Sequence, residues 1–208
     1  MTYALYVTHP QVVQDPDVPV PRWGLSPKGR ERAERFANHP MVRTAGRIVS
    51  SGETKALELA AALAATSGIV VQSGDNFGEN DRSSTGFVPP DRFEQLADSF
   101  FAHPEVSVEG WERAIDAQAR IVAAFEAALA GHDPTVPVIF TGHGAVGTLL
   151  KCHLGGRAIA RSEDQRRMGD PGGGNVFVVR LSDRALLTDW LAIEQLPGTL
   201  ANPGLVTG

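Results

Sequence analysis

This sequence has only one cysteine, no long apolar run and no excess of basic residues. The single cysteine, Cys152, excludes an internal disulfide framework and a cysteine-rich zinc site. There is no run of about 18 apolar residues, so we expect no transmembrane helix, and residues 1–6 lack the charge and length of a signal peptide. With 19 Lys and Arg against 24 Asp and Glu, the net charge of −5 argues against non-specific nucleic-acid binding. These absences predict a cytoplasmic protein with neither a nucleic-acid nor a membrane partner.

What is present is typical of one ordinary globular domain. The 208 residues are 42% hydrophobic, enough to bury a core, and no repeat or low-complexity linker divides them. Strand-like and helix-like segments alternate, which favours an α/β fold with three layers (α/β/α) and a mostly parallel central sheet over residues 1–208. Strands are predicted at residues 3–8, 46–51, 69–71 and 136–140, with a closing strand pair at 176–181 and 186–193; helices are predicted from Ser26 and Pro27 onward and at 53–66, 93–101, 109–130 and 146–154.

Two irregular segments interrupt this alternation. Residues 11–23 are rich in proline and are predicted to form a loop. Residues 72–108 are dense in glycine, asparagine, serine and proline, and their length favours an active-site lid over a simple connector. We expect these two segments to form the surface that recognises a ligand.

Two histidines follow predicted strands at equivalent places. His9 comes directly after residues 3–8, and His143 comes shortly after residues 136–140. In open α/β sheets, ligands bind beyond the carboxyl ends of the strands, so both imidazoles would project into one crevice if their strands are neighbours. The other four histidines lie in helical or loop contexts, where a surface or core role is the simpler interpretation; they are His39, His103, His132 and His153.

The second predicted strand adds a possible anion site. It ends in Ser50-Ser51 and runs into a helix that begins near Glu53, and a helix N-terminus offers free N–H groups to a phosphate or carboxylate. Lys55 lies in the first turn of this helix, where a cation is unfavourable for the helix itself, which suggests that it binds a ligand. A solvated lysine is the competing interpretation.

Residues 142–147 also satisfy the pattern G-x-G-x-x-G, which raises the alternative of a dinucleotide site. Such a site requires a second strand ending in an acidic residue about 20 residues later. Residues 161–168 are instead highly charged and unsuited to a buried strand. We therefore attribute the match to chance.

Taken in order, these features resemble the histidine phosphatase (phosphoglycerate mutase-like) superfamily. That family has Arg-His-Gly after its first strand, then Leu-Thr-x-x-Gly, Ser-Ser-x-x-x-Arg-Ala, an acidic residue in an inserted region and a second His-Gly. The resemblance extends from residue 3 to about residue 182 and implies a phosphoglycerate mutase-like fold with residues 72–108 as the lid insertion. The matching residues here are His9, Leu25-Ser26-Pro27-Lys28-Gly29, Ser50-Ser51-x-x-x-Lys55-Ala56, Glu79 and Gly142-His143-Gly144, with Arg120 where the family often has a helical arginine.

The resemblance implies a role for each matching residue. His9 would attack phosphorus and form a phosphohistidine, and Glu79 would protonate the leaving alkoxide and then deprotonate water. His143 and Lys55 would stabilise charge on the equatorial oxygens, with backbone N–H groups near His143 (Gly144 among them) and near Ser51 as further donors. No metal or cofactor is needed.

Three departures from the family pattern bear on activity. Thr8 stands where the family has arginine, Pro10 where it has glycine, and Lys55 where it has a second arginine. Because arginine offers phosphate a bidentate fork and lysine only a point charge, these changes are not conservative. Arg22, in the loop after His9, and Arg82, near Glu79, are candidates to replace the missing charge. Thr8 itself is retained as a candidate substrate contact.

Asp81 is an alternative candidate for the general acid, since it lies two residues after Glu79. We favour Glu79 because its side chain is longer and it stands at the start of the predicted lid.

The sequence thus predicts a phosphomonoesterase acting on a small phosphorylated metabolite. A mutase is disfavoured because nothing in this lid suggests shielding from water. The alternative is an impaired family member that binds a phosphorylated or anionic ligand. A homodimer stays open, because one of the three tryptophans could lie at an interface.

Overall fold

Strands and helices alternate along most of the chain in the computed structural model, which describes residues 1–200. The strands are β1 (Tyr3–Thr8), β2 (Arg47–Ser51), β3 (Val71–Gly74), β4 (Val138–Gly142), β5 (Asn175–Arg180) and β6 (Leu191–Ala192). The helices are α1 (Pro27–Ala37), α2 (Pro40–Arg43), α3 (Thr54–Ala64), α4 (Pro90–Ala102), α5 (Ala114–Leu129), α6 (Gly144–Leu154) and α7 (Gln165–Met168). Among these residues, none of the helices is both long and apolar enough to cross a bilayer.

The strands form one mixed sheet in the order β3-β2-β4-β1-β5-β6. The β2–β3, β2–β4 and β1–β4 pairs are parallel, whereas β5 is antiparallel to both β1 and β6. The mostly parallel α/β architecture predicted from the sequence is therefore confirmed. Because β1 and β4 are neighbours, the residues that follow them meet at the same edge of the sheet.

Alternate residues of the central strands enter two separate cores, which gives the fold its three layers. In β1, Tyr6 packs on one face with helices α5 and α6, while Leu5 and Val7 pack on the other face with α1 and α3. This is the two-residue period of a strand buried on both sides. The central strands predicted from the sequence are apolar because both of their faces are buried.

The local signals that open α1 behave as the sequence predicts. Ser26 is the N-cap, and its Oγ accepts a hydrogen bond from the Gly29 N–H at 3.1 Å, while Pro27 occupies the first helical position. Both residues suit the first turn of a helix, where the backbone N–H groups have no intrahelical partner. The start of α1 is therefore set by the local sequence alone.

Several predicted boundaries are wrong, each for a physical reason. The third strand pairs over Val71–Gly74 rather than 69–71, and Val70 is 83% exposed beside it. The long helix begins at Ala114 rather than at 109, because Glu109 has a φ of 50° that no helix accommodates. The last strand shrinks from 186–193 to Leu191–Ala192, and Leu186 makes only an isolated bridge. The short helices α2 and α7 were not predicted.

Candidate active site

The two strand-end histidines meet at the carboxyl edge of the sheet. Thr8 lies opposite Gly142 in the β1–β4 register, and the ring centroids of His9 and His143 are 5.4 Å apart, with the planes inclined at 67°. The two rings are therefore neighbours at this edge, as expected for adjacent strands, but only His9 lines the cleft, and the expectation that both imidazoles project into it is wrong for His143. The other residues described below surround this pair.

His9 is held as a neutral imidazole with one defined tautomer. Its Nδ1 lies 3.0 Å from the carbonyl oxygen of Pro10, which can only accept, so Nδ1 carries the proton. Burial, together with the nearby His143 and Lys55, lowers the pKa of His9 to about 3. The lone pair of Nε2 is therefore available, and His9 lines the large cleft at this edge of the sheet.

His143 lies beneath the cleft surface rather than on it. Its side chain is fully buried, and its Nε2 is 2.8 Å from Ser51 Oγ and 3.3 Å from Glu53 Oε1. Its Nδ1 has no hydrogen-bond partner within the described residues. Burial lowers the pKa of His143, although the carboxylates of Glu53 and Glu79 act in the opposite direction.

Glu79 binds the N-terminus of α6. Its carboxylate accepts hydrogen bonds from Val146 N at 3.0 Å and Ala145 N at 3.2 Å, in the first turn of that helix. Burial raises the pKa of Glu79, but Arg82, His143 and the Val146 N–H outweigh it and hold the pKa below its usual range. The helix N-terminus that follows His143 is thus filled by a carboxylate of the chain itself.

Arg120 on α5 fixes the backbone that carries Glu79. Its guanidinium donates to the carbonyl oxygens of Asn76 (2.9 Å), Gly78 (3.0 Å) and Glu79 (3.2 Å). The same guanidinium forms a two-bond pair with Glu112, at 2.9 and 2.7 Å. The bonds to the three carbonyl oxygens therefore connect α5 to the start of the 72–108 segment, and the pair with Glu112 orients the guanidinium that makes them.

Asp81, the competing acid, has a different environment. It is exposed, and its Oδ1 accepts from Ser83 N at 2.8 Å, so it stabilises a turn. That bond is also the main cause of the lowered pKa of Asp81. Asp81 lines the cleft. Because its carboxylate stabilises this exposed turn, Glu79 is the better candidate for the acid.

Lys55 is 3% exposed and is already paired within the protein. Its Nζ donates to the carbonyl oxygen of Val20 at 3.0 Å and forms a short ion pair with Glu53 Oε2. The unfavourable position of this cation in the first turn of α3 is thus explained by an internal carboxylate rather than by a ligand. Lys55 nevertheless lines the cleft. Burial lowers the pKa of His9 and of His143, and the charge of Lys55 contributes to this lowering.

Thr8 does not face the cleft. It is fully buried, and its hydroxyl donates to Gln165 Oε1 at 2.7 Å and accepts from Asn175 N at 3.0 Å. Asn175 in turn donates to Gln165 Oε1 at 2.8 Å. The residue that replaces the family's first arginine therefore joins β1, β5 and α7 beneath the site, and its position does not support a substrate contact.

The two candidate arginines differ in how firmly they are placed. Arg82 lies over the rings of Phe93 and Trp111, at 5.2 and 5.5 Å from their centroids, and its guanidinium is 3.9 Å from Glu79 Oε2. Arg22 is exposed at the rim of the cleft. Arg82 is thus positioned by aromatic packing next to Glu79. The only support for Arg22 as the replacement charge is its place at the rim of the cleft.

Close packing explains the glycine pattern that resembled a dinucleotide site. A Cβ on Gly142 would lie 2.4 Å from the Tyr6 hydroxyl, and one on Gly147 would lie 2.4 Å from the Tyr6 ring. A Cβ on Gly144 would lie 2.0 Å from Gln165 Nε2. The three glycines thus make room for side chains beside His143, and Gly144 also lines the cleft.

The cleft itself has a volume of about 1390 Å³ and is bounded by both irregular segments. Trp23 from the 11–23 loop and Phe87 from the 72–108 segment meet edge to face across it, with centroids 5.6 Å apart. Phe93, Arg161 and Gln165 form part of the remaining wall. The charged stretch 161–168, for which the sequence predicts no functional role, therefore contributes residues to the cleft wall.

Sequence reasoning missed two residues that touch the histidines. The sequence marks Glu53 only as the start of a helix, and Ser51 as part of a motif and a possible backbone donor, yet the side chains of both contact His143 Nε2. A carboxylate two residues before a lysine in a first helical turn is a signal that could have identified the Glu53–Lys55 pair. No comparable local signal relates either residue to His143, because that contact joins β2 to β4.

Comparisons with known proteins agree with this architecture. A mycobacterial glucosyl-3-phosphoglycerate phosphatase has a similar structure, with a TM-score of 0.71, 18% identity, and coverage of 92% of this chain and 99% of its own. YhfR of Bacillus stearothermophilus gives a TM-score of 0.71 at 18% identity, over 97% of this chain and 98% of its own. TTHB049 of Thermus thermophilus gives a TM-score of 0.65 at 15% identity, over 91% and 99%. No curated protein matches the chain in sequence.

At these identities the structural likeness shows the fold, and the sequence supplies the family. The family model for branch 1 of the histidine phosphatase superfamily matches residues 8–182, a span that begins one residue before His9 and includes His143. The chain belongs to the histidine phosphatase superfamily.

Proposed function

We propose that the protein is a phosphomonoesterase that hydrolyses a small phosphorylated metabolite through a phosphohistidine on His9. The observation that carries this proposal is the bond from His9 Nδ1 to the Pro10 carbonyl oxygen, 3.0 Å long, on a ring that is neutral. The bond directs the Nε2 lone pair away from the backbone, and burial, which lowers the pKa of His9 to about 3, keeps that nitrogen unprotonated near neutral pH. A poised, neutral nitrogen is what nucleophilic attack on phosphorus requires.

In the first step, His9 Nε2 forms a bond to phosphorus while the bond to the ester oxygen breaks. The leaving alkoxide takes a proton from Glu79, whose carboxyl group must be protonated for this purpose. Burial raises the pKa of Glu79, but Arg82 and His143 outweigh it and hold this pKa below its usual range. Because a bound phosphate draws on Arg82 and adds negative charge, it raises the pKa of Glu79 towards the value that an acid needs.

In the second step, Glu79 takes a proton from water as the water oxygen attacks phosphorus. The P–N bond breaks, inorganic phosphate leaves and His9 returns to its neutral form. Arg82 is the cation that we assign to the phosphoryl oxygens, in place of the missing arginine before His9. It is 3.9 Å from Glu79 and already oriented by Phe93 and Trp111, so little side-chain entropy is lost when it binds.

The second candidate function is binding of a phosphorylated ligand without turnover. It is favoured by the engagement of Lys55, whose Nζ already contacts Glu53 and the Val20 carbonyl oxygen. It is also favoured by Thr8, which offers no charge to the cleft. Each of these two features would lower the activity of a phosphatase, but neither removes the nucleophile His9.

Turnover of p-nitrophenyl phosphate between pH 4.5 and 8 separates the two functions. We expect activity in the wild type and in His153→Ala, which changes an exposed histidine on α6, and none in His9→Ala. Quenched wild-type enzyme should carry an acid-labile, alkali-stable phosphoryl group that His9→Ala lacks. Activity that survives His9→Ala would contradict the proposal, and inactivity of all three proteins together with phosphate binding would favour the ligand-binding function.

A further inference from the structure

Glu53 contacts both of the side chains, His143 and Lys55, that the family resemblance assigns to the phosphoryl oxygens. Its Oε1 is 3.3 Å from His143 Nε2 and accepts from Glu79 N at 2.9 Å, while its Oε2 pairs with Lys55 Nζ. His143 and Lys55 are two of the groups expected to bind phosphoryl oxygens. A single carboxylate of the chain therefore contacts both of these expected phosphoryl-binding groups.

The position of Glu53 is that of an anion in the cleft rather than of a buried structural pair. Its side chain is 15% exposed and lines the cleft, whereas His143 behind it is fully buried. His143 is in turn 5.4 Å from the ring of His9. A phosphoryl group next to His9 reaches His143 only if the Glu53 carboxylate moves aside.

We propose that the Glu53 carboxylate occupies the phosphoryl-binding position and that an incoming phosphate ester must displace it. Glu53 thereby sets the affinity of the site for phosphorylated ligands. The proposal deepens the function proposed above, since it concerns the same site, but it requires only that phosphate binds there.

The charges around the cleft support this competition. Among the described residues that line the cleft, Lys55 pairs with Glu53, and Arg82 lies 3.9 Å from Glu79, so each of these two cations already has a carboxylate beside it. A phosphate dianion gains the full attraction of Lys55 only when Glu53 withdraws from it. The position of Glu53 between His143 and Lys55 outweighs burial and lowers its pKa to about 2, so protonation does not release it.

Binding of inorganic phosphate and of vanadate to Glu53→Gln tests the proposal. Glutamine has the same shape and keeps an oxygen for Glu79 N, but it removes the charge that competes with the ligand. We expect both anions to bind at least tenfold more tightly than to the wild type, measured by isothermal titration calorimetry. The matched control is Asp75→Asn, which removes one negative charge from the same cleft without a contact to Lys55 or His143; we expect it to change affinity less than threefold.

Two outcomes of this titration would overturn the proposal. One is unchanged or weaker binding by a folded Glu53→Gln, which would make Glu53 a positioning residue for Lys55. The other is equal tightening in Asp75→Asn, which would reduce the effect to net charge. Because the titration needs no turnover, tighter binding by an inactive protein would uphold this inference while the phosphatase proposal fails.

A measurement on the wild type keeps the proposal testable if Glu53→Gln does not fold. In a crystal structure with vanadate bound at His9, we expect the Glu53 carboxylate to have left His143 and Lys55. Vanadate bound at His9 with Glu53 still between these two residues would contradict the proposal. So would the absence of any contact from vanadate to Lys55 or His143.

Discussion

The neutral state of His9 has a consequence for stability as well as for reactivity. The pKa of His9 is about 3 in the folded protein, against about 6.5 in an unfolded chain. Between these values the unfolded state binds a proton that the folded state does not, so the free energy of unfolding falls as the pH drops below 6.5. We expect His9 to account for a loss of about 1 to 2 kcal/mol between pH 7.5 and pH 5.

Urea unfolding of the wild type and of His9→Gln at both pH values measures this loss. Glutamine does not titrate, so the variant should lose less stability on acidification by the amount due to His9. An equal loss in the two proteins would show that His9 is protonated as readily in the folded chain as in the unfolded one.

Also at the residue scale, Glu79 and Asp81 can be told apart as the acid. Glu79 lies at the N-terminus of α6, and Asp81 stabilises an exposed turn. We expect Glu79→Gln to lower kcat on p-nitrophenyl phosphate by about 100-fold or more, as for loss of a general acid, and Asp81→Asn to change it less than threefold. Loss of turnover in Asp81→Asn alone would assign the acid to Asp81. A substrate with a poorer leaving group should enlarge the effect of the correct substitution.

At the scale of elements, the site depends on how α5 holds the start of the 72–108 segment. Arg120 donates to three successive parts of this backbone and pairs with Glu112, whose Oε2 also accepts from Asp81 N at 3.1 Å. A helix thus fixes a loop that the sequence predicts to be irregular. Whether the segment moves as a lid stays a prediction.

Replacing Arg120 by methionine should uncouple this loop from the helix. We expect kcat to fall at least tenfold because Glu79 is no longer held against α6, with partial rescue in Arg120→Lys. Arg113→Met is the control, since Arg113 pairs with Asp116 on the surface of the same region; it should leave kcat unchanged. An equal effect of both substitutions would place the role of Arg120 in general stability rather than in positioning Glu79.

At the scale of the whole molecule, both cores are built on the same strands. Val138 and Phe140 of β4 belong to one core, and Ile139 belongs to the other, so neither core can form without the sheet. We propose on this ground that residues 1–208 are a single domain, as the sequence predicts. Equilibrium unfolding should therefore be one cooperative transition.

Far-UV circular dichroism and tryptophan fluorescence together test this cooperativity. Trp111 and Trp190 report on the core that contains Phe140, whereas circular dichroism reports on all helices. We expect coincident midpoints in urea. Separate midpoints would indicate that one layer unfolds before the other.

The sequence by itself determined much of this protein because many of its signals are local. The apolar period of the strands, the Ser26-Pro27 helix start and the position of His9 and His143 after strands each depend on a few neighbouring residues. These signals sufficed for the α/β fold, for the shared edge of the two histidines and for the family. They were weakest at the surface, where Ile69 and Val70 indicated a strand that the sheet does not include.

Only the tertiary structure decided which charges meet in the site. Lys55 indicated a ligand from its place in a helix, but its partners are a backbone oxygen from the 11–23 loop and the carboxylate of Glu53. Thr8 occupies a motif position, yet its hydroxyl bonds residues more than 150 positions away in the chain. Such contacts depend on distances across the sheet and on which buried polar groups must be satisfied, and neither quantity is encoded in a local pattern.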